Sequence, residues 1–220
     1  MATHTVDSRL GMAGRTQAGT EASTHRPPTG AREAPVGRTT GWWGMVLFIA
    51  TEATTFAVLI ASYFYLRFST ESVWPPTADK PPHLVLPSIA TGVLVLSCVP
   101  MLLSVRAARA GRGGASGTLT LLTLLAGSAF LVLQILDWLA EWPASTLSKD
   151  SYGSLLYSVT GLHTAHVVIG LGMLLFLVVA ALVGRTREHP EPVGIVAMYW
   201  YFMAALAVAV YVTVYISPYL

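Results

Sequence analysis

The sequence predicts an all-α integral membrane protein, a bundle of five transmembrane helices with its N-terminus in the cytoplasm and its C-terminus outside. Three observations carry that prediction. The first is composition: 54% of the 220 residues are hydrophobic and 11% charged, with a mean hydropathy of +0.60, whereas a soluble chain carries about 25% charged residues. The second is a set of five apolar runs, Gly41–Tyr65, Leu84–Val105, Thr118–Ala140, Leu155–Val183 and Val193–Ser217. Each is about 20 residues or longer, enough to cross a hydrocarbon core roughly 30 Å thick at about 1.5 Å per residue. The third is charge placement. Of the 13 Lys and Arg residues, ten (Arg9, Arg15, Arg26, Arg32, Arg38, Arg106, Arg109, Arg112, Arg185 and Arg187) fall on one side of a five-span chain. Only Arg67, Lys80 and Lys149 fall on the other. Basic loops stay in the cytoplasm, and a wrong helix count would scramble this alternation.

Residues 1–40 form a separate region, rich in Gly, Ala, Thr, Arg and Pro. They read as a disordered basic cytoplasmic tail. The rival is an organellar transit peptide, which is Arg-rich and poor in acids. Asp7, Glu21, Glu33, Pro27 and Pro28 count against the amphipathic helix that such a peptide forms. Nothing apolar precedes Gly41, so no secretory signal is expected. Residues 41–220 are the membrane domain.

The first run is the most informative. Trp42 and Trp43 open it, and Tyr63 and Tyr65 close it, as interfacial anchors do. Glu52 lies roughly 16 Å into the core at helical rise. A carboxyl there costs about 2.5 kcal/mol or more, so it is expected to face protein or a polar cavity. Two readings stand side by side: a proton-linked or ligand-contacting acid, and a neutral acid hydrogen-bonded to a neighbouring helix.

In the second run Pro100 predicts a kink, because proline removes a donor and clashes with the preceding turn. The outer loop before it, Trp74-Pro75-Pro76 to Lys80-Pro81-Pro82, is expected to be stiff. The inner loop Gly111-Arg112-Gly113-Gly114 is expected to be flexible. In the third run Gln134, Asp137 and Glu141 are spaced i, i+3, i+7 and share one helix face. Trp138 and Trp142 mark the outer interface, which explains Glu141 better than the deeper Gln134 and Asp137.

The fourth run holds His163 and His166, about 15 Å below its outer end. They are the only histidines within the runs. Two residues one turn apart on one helix cannot sandwich a haem, and no other run supplies a partner. A copper or zinc site on His163 and His166, with Glu52 at similar depth, is one reading; tight sites want three or four ligands, and histidines hydrogen-bonding across helices are the favoured one. Small residues at Gly161, Ala165 and Gly170, and at Ala205 and Ala209 in the fifth run, predict close helix approach. The single cysteine, Cys98, allows no intrachain disulfide or thiolate cluster. No nucleotide loop or nucleophile elbow appears. The residues by themselves describe a scaffold, a lipid- or proton-environment subunit, or a small transporter.

Three motifs in order give a resemblance. Trp43-Gly44-Met45-Val46-Leu47-Phe48-Ile49-Ala50-Thr51-Glu52 resembles the first core segment of subunit III of haem–copper cytochrome c oxidases, where Phe-Ile-x-x-Glu carries a buried acid. Phe130-Leu131-x-x-Gln134-x-x-Asp137-Trp138 is similar to that family's Phe-Leu-x-x-Gln-x-x-Glu-Tyr. Gly161-Leu162-His163-x-x-His166-Val167-x-Ile169-Gly170 is similar to its Gly-Phe-His-Gly-x-His-Val-x-x-Gly. The family's last helix opens Tyr-Trp-His-Phe-Val-Asp-x-x-Trp, but here it reads Tyr199-Trp200-Tyr201-Phe202-Met203-Ala204-Ala205-Leu206-Ala207. The histidine, the acid and the later tryptophan are replaced, which marks a divergent member or a side branch such as the subunit III-like protein accompanying nitric oxide reductases.

The resemblance implies a non-redox subunit of a proton-translocating oxidoreductase. It would pack on subunit I, with subunit II in the same membrane complex. It would bind structural phospholipid in a cleft, and it would support proton uptake and stability during electron transfer to dioxygen. Haem and copper are then expected in partner subunits, with no cofactor, metal or catalytic centre in this chain. The buried polar set becomes Glu52, Gln134, Asp137, His163 and His166, and Glu52 and His163 are expected to meet across helices. Competing functions are a nitric oxide reductase accessory subunit and a small proton-linked transporter. Internal repeats, which mark many transporters, are not visible. A bacterial plasma membrane is favoured over the mitochondrial inner membrane by the acids and prolines of the tail.

Overall fold

A computed structural model describes residues 39–69, 84–141 and 151–217. The tail up to residue 38, the Pro-rich outer loop, Trp142 and the side chain of Glu141 lie outside the described residues. Five helical spans cross the molecule, and no strand occurs among the described residues. They are α1 (Thr40–Ser69), α2 with α3 (Val85–Leu96 and Cys98–Arg109), α4 (Gly113–Glu141), α5 (Ser151–Leu182) and α7 (Glu191–Tyr211), the last continued by a π-helical turn at Val212–Ile216. A one-turn helix, α6 (Arg185–Glu188), lies between α5 and α7. The observed helices match the expected runs to within five residues at every end, most of them extending beyond the apolar run by about a turn at one end.

The second span breaks at Ser97 rather than at the proline itself. The reason is geometric: Pro100 has no N–H for the carbonyl of Leu96, and its ring crowds that carbonyl, four residues earlier. The turn between α3 and α4 is tight instead of flexible. Gly111 takes φ +71°, its N–H donates to the Ala108 carbonyl at 3.0 Å, and the Arg112 N–H donates to the Ala107 carbonyl at 2.9 Å. That pair of bonds closes a helix C-terminus around a left-handed glycine. Gly113 and Gly114 belong to α4 rather than to a loop. Because successive spans run in opposite directions, this turn and the α5–α7 connection lie at the same end of the bundle, and Arg106, Arg109 and Arg185 lie there with them.

Packing runs inside out relative to a soluble protein. The buried stripe of α4 is Gly113, Ser116, Thr120, Thr123, Gly127, Phe130, Gln134 and Asp137, while Leu121, Leu122, Leu125, Val132 and Leu139 are exposed. Lipid solvates leucine as well as another helix does, so small and polar residues take the interfaces. Ser104 of α3 bonds Ser116 and Thr120 of α4 at 3.0 and 2.8 Å. Exposed hydroxyls on α1 (Thr51, Thr54, Thr55 and Ser62) donate to carbonyls four residues back, as backbone-satisfying hydroxyls do in lipid.

The last span is the most buried and the first the least. α7 packs against α1, α2, α3 and α5, and α1 packs against α5 and α7 at the edge of the bundle. Fully buried Trp200 of α7 is the wedge of the core. A Cβ on Gly127 would lie 2.6 Å from its ring and one on Gly170 would lie 3.1 Å away, so α4 and α5 reach α7 only because both positions lack a side chain. Trp200 Nε1 donates to Ser97 Oγ at 2.8 Å, which ties the same wedge to the break in the second span. Of the small residues expected at interfaces, Gly170 performs that role. Gly161 has nothing within 4 Å of a would-be Cβ, and Ala165 and Ala205 are exposed. Gly117, with Ala181 Cβ 2.6 Å from its would-be Cβ, and Gly127 are the other close approaches.

Candidate functional site: the polar groups of the spans

Glu52 and His166 meet. Glu52 Oε2 of α1 lies 2.8 Å from His166 Nε2 of α5, with 17% and 10% of their side chains exposed. The other imidazole nitrogen, Nδ1, lies 2.7 Å from the carbonyl of Leu162. A carbonyl only accepts, so Nδ1 carries a hydrogen. Nε2 then either accepts from a protonated Glu52 or, itself protonated, donates to the carboxylate. Both states place one proton between the two side chains and differ only in where it sits. The backbone carbonyl of His166 accepts a hydrogen bond from Tyr199 Oη at 2.9 Å. Phe56 lies edge-on to the imidazole with ring centres 5.6 Å apart.

His163 does not meet Glu52. Three residues at about 100° each leave it roughly 60° around α5 from His166, enough to aim it past α1 at α7. Its Nε2 donates to the Met203 carbonyl at 3.2 Å, and Phe130 of α4 stands edge-on to its ring at 5.7 Å. Gln134 and Asp137 share the buried face of α4, with 8% and 2% exposure. Asp137 Oδ2 accepts from Tyr215 Oη at 2.6 Å, and Tyr215 sits in the π-helical turn that ends the last span. A π turn shifts the register of the residues after it, and it accompanies the burial of Thr213, Val214 and Tyr215. The Gln134 amide nitrogen is buried without a hydrogen-bond partner.

Of the tryptophans expected as anchors, Trp43 is exposed and lies edge-to-face with Trp42, ring centres 4.9 Å apart. Trp138 is half-buried and its Nε1 donates to Thr160 Oγ1 at 3.2 Å. Sequence reasoning passed over Tyr215, Tyr199 and Ser97. The available signal was their type: a tyrosine or serine inside a span needs a polar partner. Among the described residues no three His, Cys, Asp or Glu side chains converge as metal ligands. His163 and His166 each have one ring nitrogen bonded to a backbone carbonyl.

Five apolar helices with small and polar residues turned inward define a multi-pass membrane protein. The family model for cytochrome c oxidase subunit III matches residues 27–219, and the chain belongs to that family. It is therefore a subunit of a membrane oxidoreductase complex of the respiratory chain. It is similar to a probable cytochrome c oxidase subunit 3 of Nocardia farcinica (strain IFM 10152), 29% identical over 174 residues, which cover 78% of this chain and 85% of that one. The cytochrome c oxidase subunit 3 of Locusta migratoria is 27% identical over 184 residues, 79% of this chain and 67% of that one. The subunit 3 of Drosophila yakuba is 28% identical over 181 residues, 79% and 68% respectively.

Proposed function

We propose that the chain is the non-redox subunit III of a cytochrome c oxidase in a bacterial plasma membrane, with its N-terminus in the cytoplasm. It packs on subunit I beside subunit II and leaves haem and copper to those partners. It holds phospholipid and supports proton uptake and the durability of the complex during electron transfer to dioxygen. The observation that carries this reading is the Glu52–His166 pair, a one-proton device held at mid-depth on the least buried helix of the bundle. Beside it on α1 runs an open groove of about 780 Å³, lined by Leu47, Thr51, Thr54, Thr55, Val58 and Leu162 among others. The groove is apolar and elongated, which suits an acyl chain. The basic end of the bundle supports the orientation through the preference of arginine for cytoplasmic loops.

The test has two arms. Mild-detergent purification of the tagged chain, followed by mass spectrometry and a visible spectrum, is expected to recover a haem–copper subunit I and phospholipid. A chain that elutes alone and colourless refutes the assignment, and co-elution with a nitric oxide reductase moves it to the accessory-subunit branch. Within the complex, Glu52→Gln keeps a hydrogen bond to His166 and removes the shared proton. The complex is expected to assemble normally and to inactivate several-fold sooner during turnover. Unchanged assembly, rate and durability would show that Glu52 has no proton role.

A further inference from the structure

A second polar site lies between α2, α4, α5 and α7, away from the Glu52–His166 pair. It is a cavity of about 20 Å³ whose walls include Thr91, Gln134, Thr160, His163, Ala207 and Tyr215. A site needs about 10–15 Å³ by this measure to accept one water molecule, together with two to four polar partners. Size therefore admits a single water and excludes a lipid tail or detergent chain.

The hydrogen-bonding groups around it are unbalanced in a way that a water corrects. Gln134 is 92% buried, the complement of its 8% exposure, and its amide nitrogen has two hydrogens and no partner. Because His163 Nε2 donates to the Met203 carbonyl, the Nδ1 of the neutral ring is the nitrogen left to accept. Other wall groups are already engaged. Thr160 Oγ1 donates to the Leu156 carbonyl and accepts from Trp138, and the Tyr215 hydroxyl donates to Asp137. A water accepting from Gln134 Nε2 and donating to His163 Nδ1 satisfies both, with a lone pair or hydrogen to spare for Thr91. If the Gln134 amide is turned end for end, its carbonyl meets the cavity and the water donates to it, so the need remains.

Sequence explains why the space exists. Ala207 lines the cavity beside Gln134 and His163, and its side chain is a single methyl group, which leaves the space open where a larger side chain would fill it.

We propose that this cavity binds one ordered water, held by Gln134 of α4 and His163 of α5, and that Ala207 is the residue that makes room for it. The direct test is a high-resolution structure of the purified complex. A density peak within hydrogen-bonding distance of both Gln134 and His163 is expected, and an empty cavity, or a Gln134 amide bonded to protein instead, overturns the proposal. The second test is a cycle of Gln134→Met and Ala207→Val in the complex. In a hydrated site Gln134→Met removes one partner of the water, and Ala207→Val evicts the water and leaves the Gln134 amide without a partner. Each then lowers the thermal midpoint by about 2–4 °C, the shift that roughly 1 kcal/mol produces in a chain of this size, and the double variant recovers most of the loss. If the site is dry, each variant fills or removes an unfavourable group, each raises the midpoint, and the effects add.

Discussion

The two histidines of α5 sit one turn apart on the same helix and end in opposite situations. His166 faces α1 and closes on Glu52, with both of its nitrogens engaged and one proton shared. His163 faces α7, engages one nitrogen with the Met203 carbonyl, and turns the rest of its ring toward a cavity with an unpartnered amide. The first seam carries a matched acid–base pair at the lipid edge of the bundle. The second carries neutral groups in its centre and is completed only by something small and polar. Cost explains the division. An ionisable acid that far into the membrane requires a protein partner, whereas a neutral amide is satisfied by a solvent molecule where there is room.

Four substitutions test that contrast, in falling order of effect. Trp200→Ala erases it, because the same ring spaces α4, α5 and α7 behind both seams. Loss of about 3–5 kcal/mol is expected for a fully buried tryptophan, read as failure of the chain to accumulate in the complex or a large drop in thermal midpoint. A mild effect would mean that Trp200 is not the wedge. His166→Leu breaks one seam alone. It strands the Glu52 carboxyl and is expected to cost about 1–3 kcal/mol, whereas Glu52→Gln/His166→Leu recovers part of this because the acid is gone as well. Thermal melting of the complex in detergent measures both, and a double variant no better than His166→Leu would deny the pairing. Tyr215→Phe removes one interhelical hydrogen bond, for which about 0.6 kcal/mol, and at most about 1.7, is usual in membrane proteins; His163→Leu removes the bond to Met203 and one contact to the water, and is expected to cost less than His166→Leu because it strands no carboxyl. If His163→Leu costs as much as His166→Leu in the same melting assay, the asymmetry between the two histidines is wrong.

Much of this was legible in the residues. The run Gly41–Tyr65 with Glu52 at its centre specified both a span and its one expensive group. Gln134 and Asp137 were placed on a common face by spacing, and both are buried. Pro100 announced the break in the second span, displaced to Ser97 because a proline acts on the carbonyl four residues before it. Other features were not legible. Gly161 and Ala165 have the spacing of a packing motif but point away from the neighbouring helices, while the close contacts fall to Gly127 and to Gly117, which shares a Gly-x-x-x-Gly spacing with Gly113. A small residue allows an approach; only a large residue opposite it, here Trp200 for Gly127 and Gly170, makes the approach matter.

The sequence by itself determined the five spans, the end of the bundle that gathers arginine, and the short set of polar groups that the membrane interior has to accommodate. Apolar length and charge placement are properties of the chain read in one dimension, and the bilayer sets the scale for both. The tertiary structure alone decided which polar group meets which. Helical spacing gives each side chain a direction but not a neighbour, and about 60° of rotation separates His166, opposite Glu52, from His163, opposite Met203. The partner depends on which helix packs at that azimuth and depth. That is settled by the fit of Trp200 against two glycines and by a π-helical turn that carries Tyr215 to Asp137.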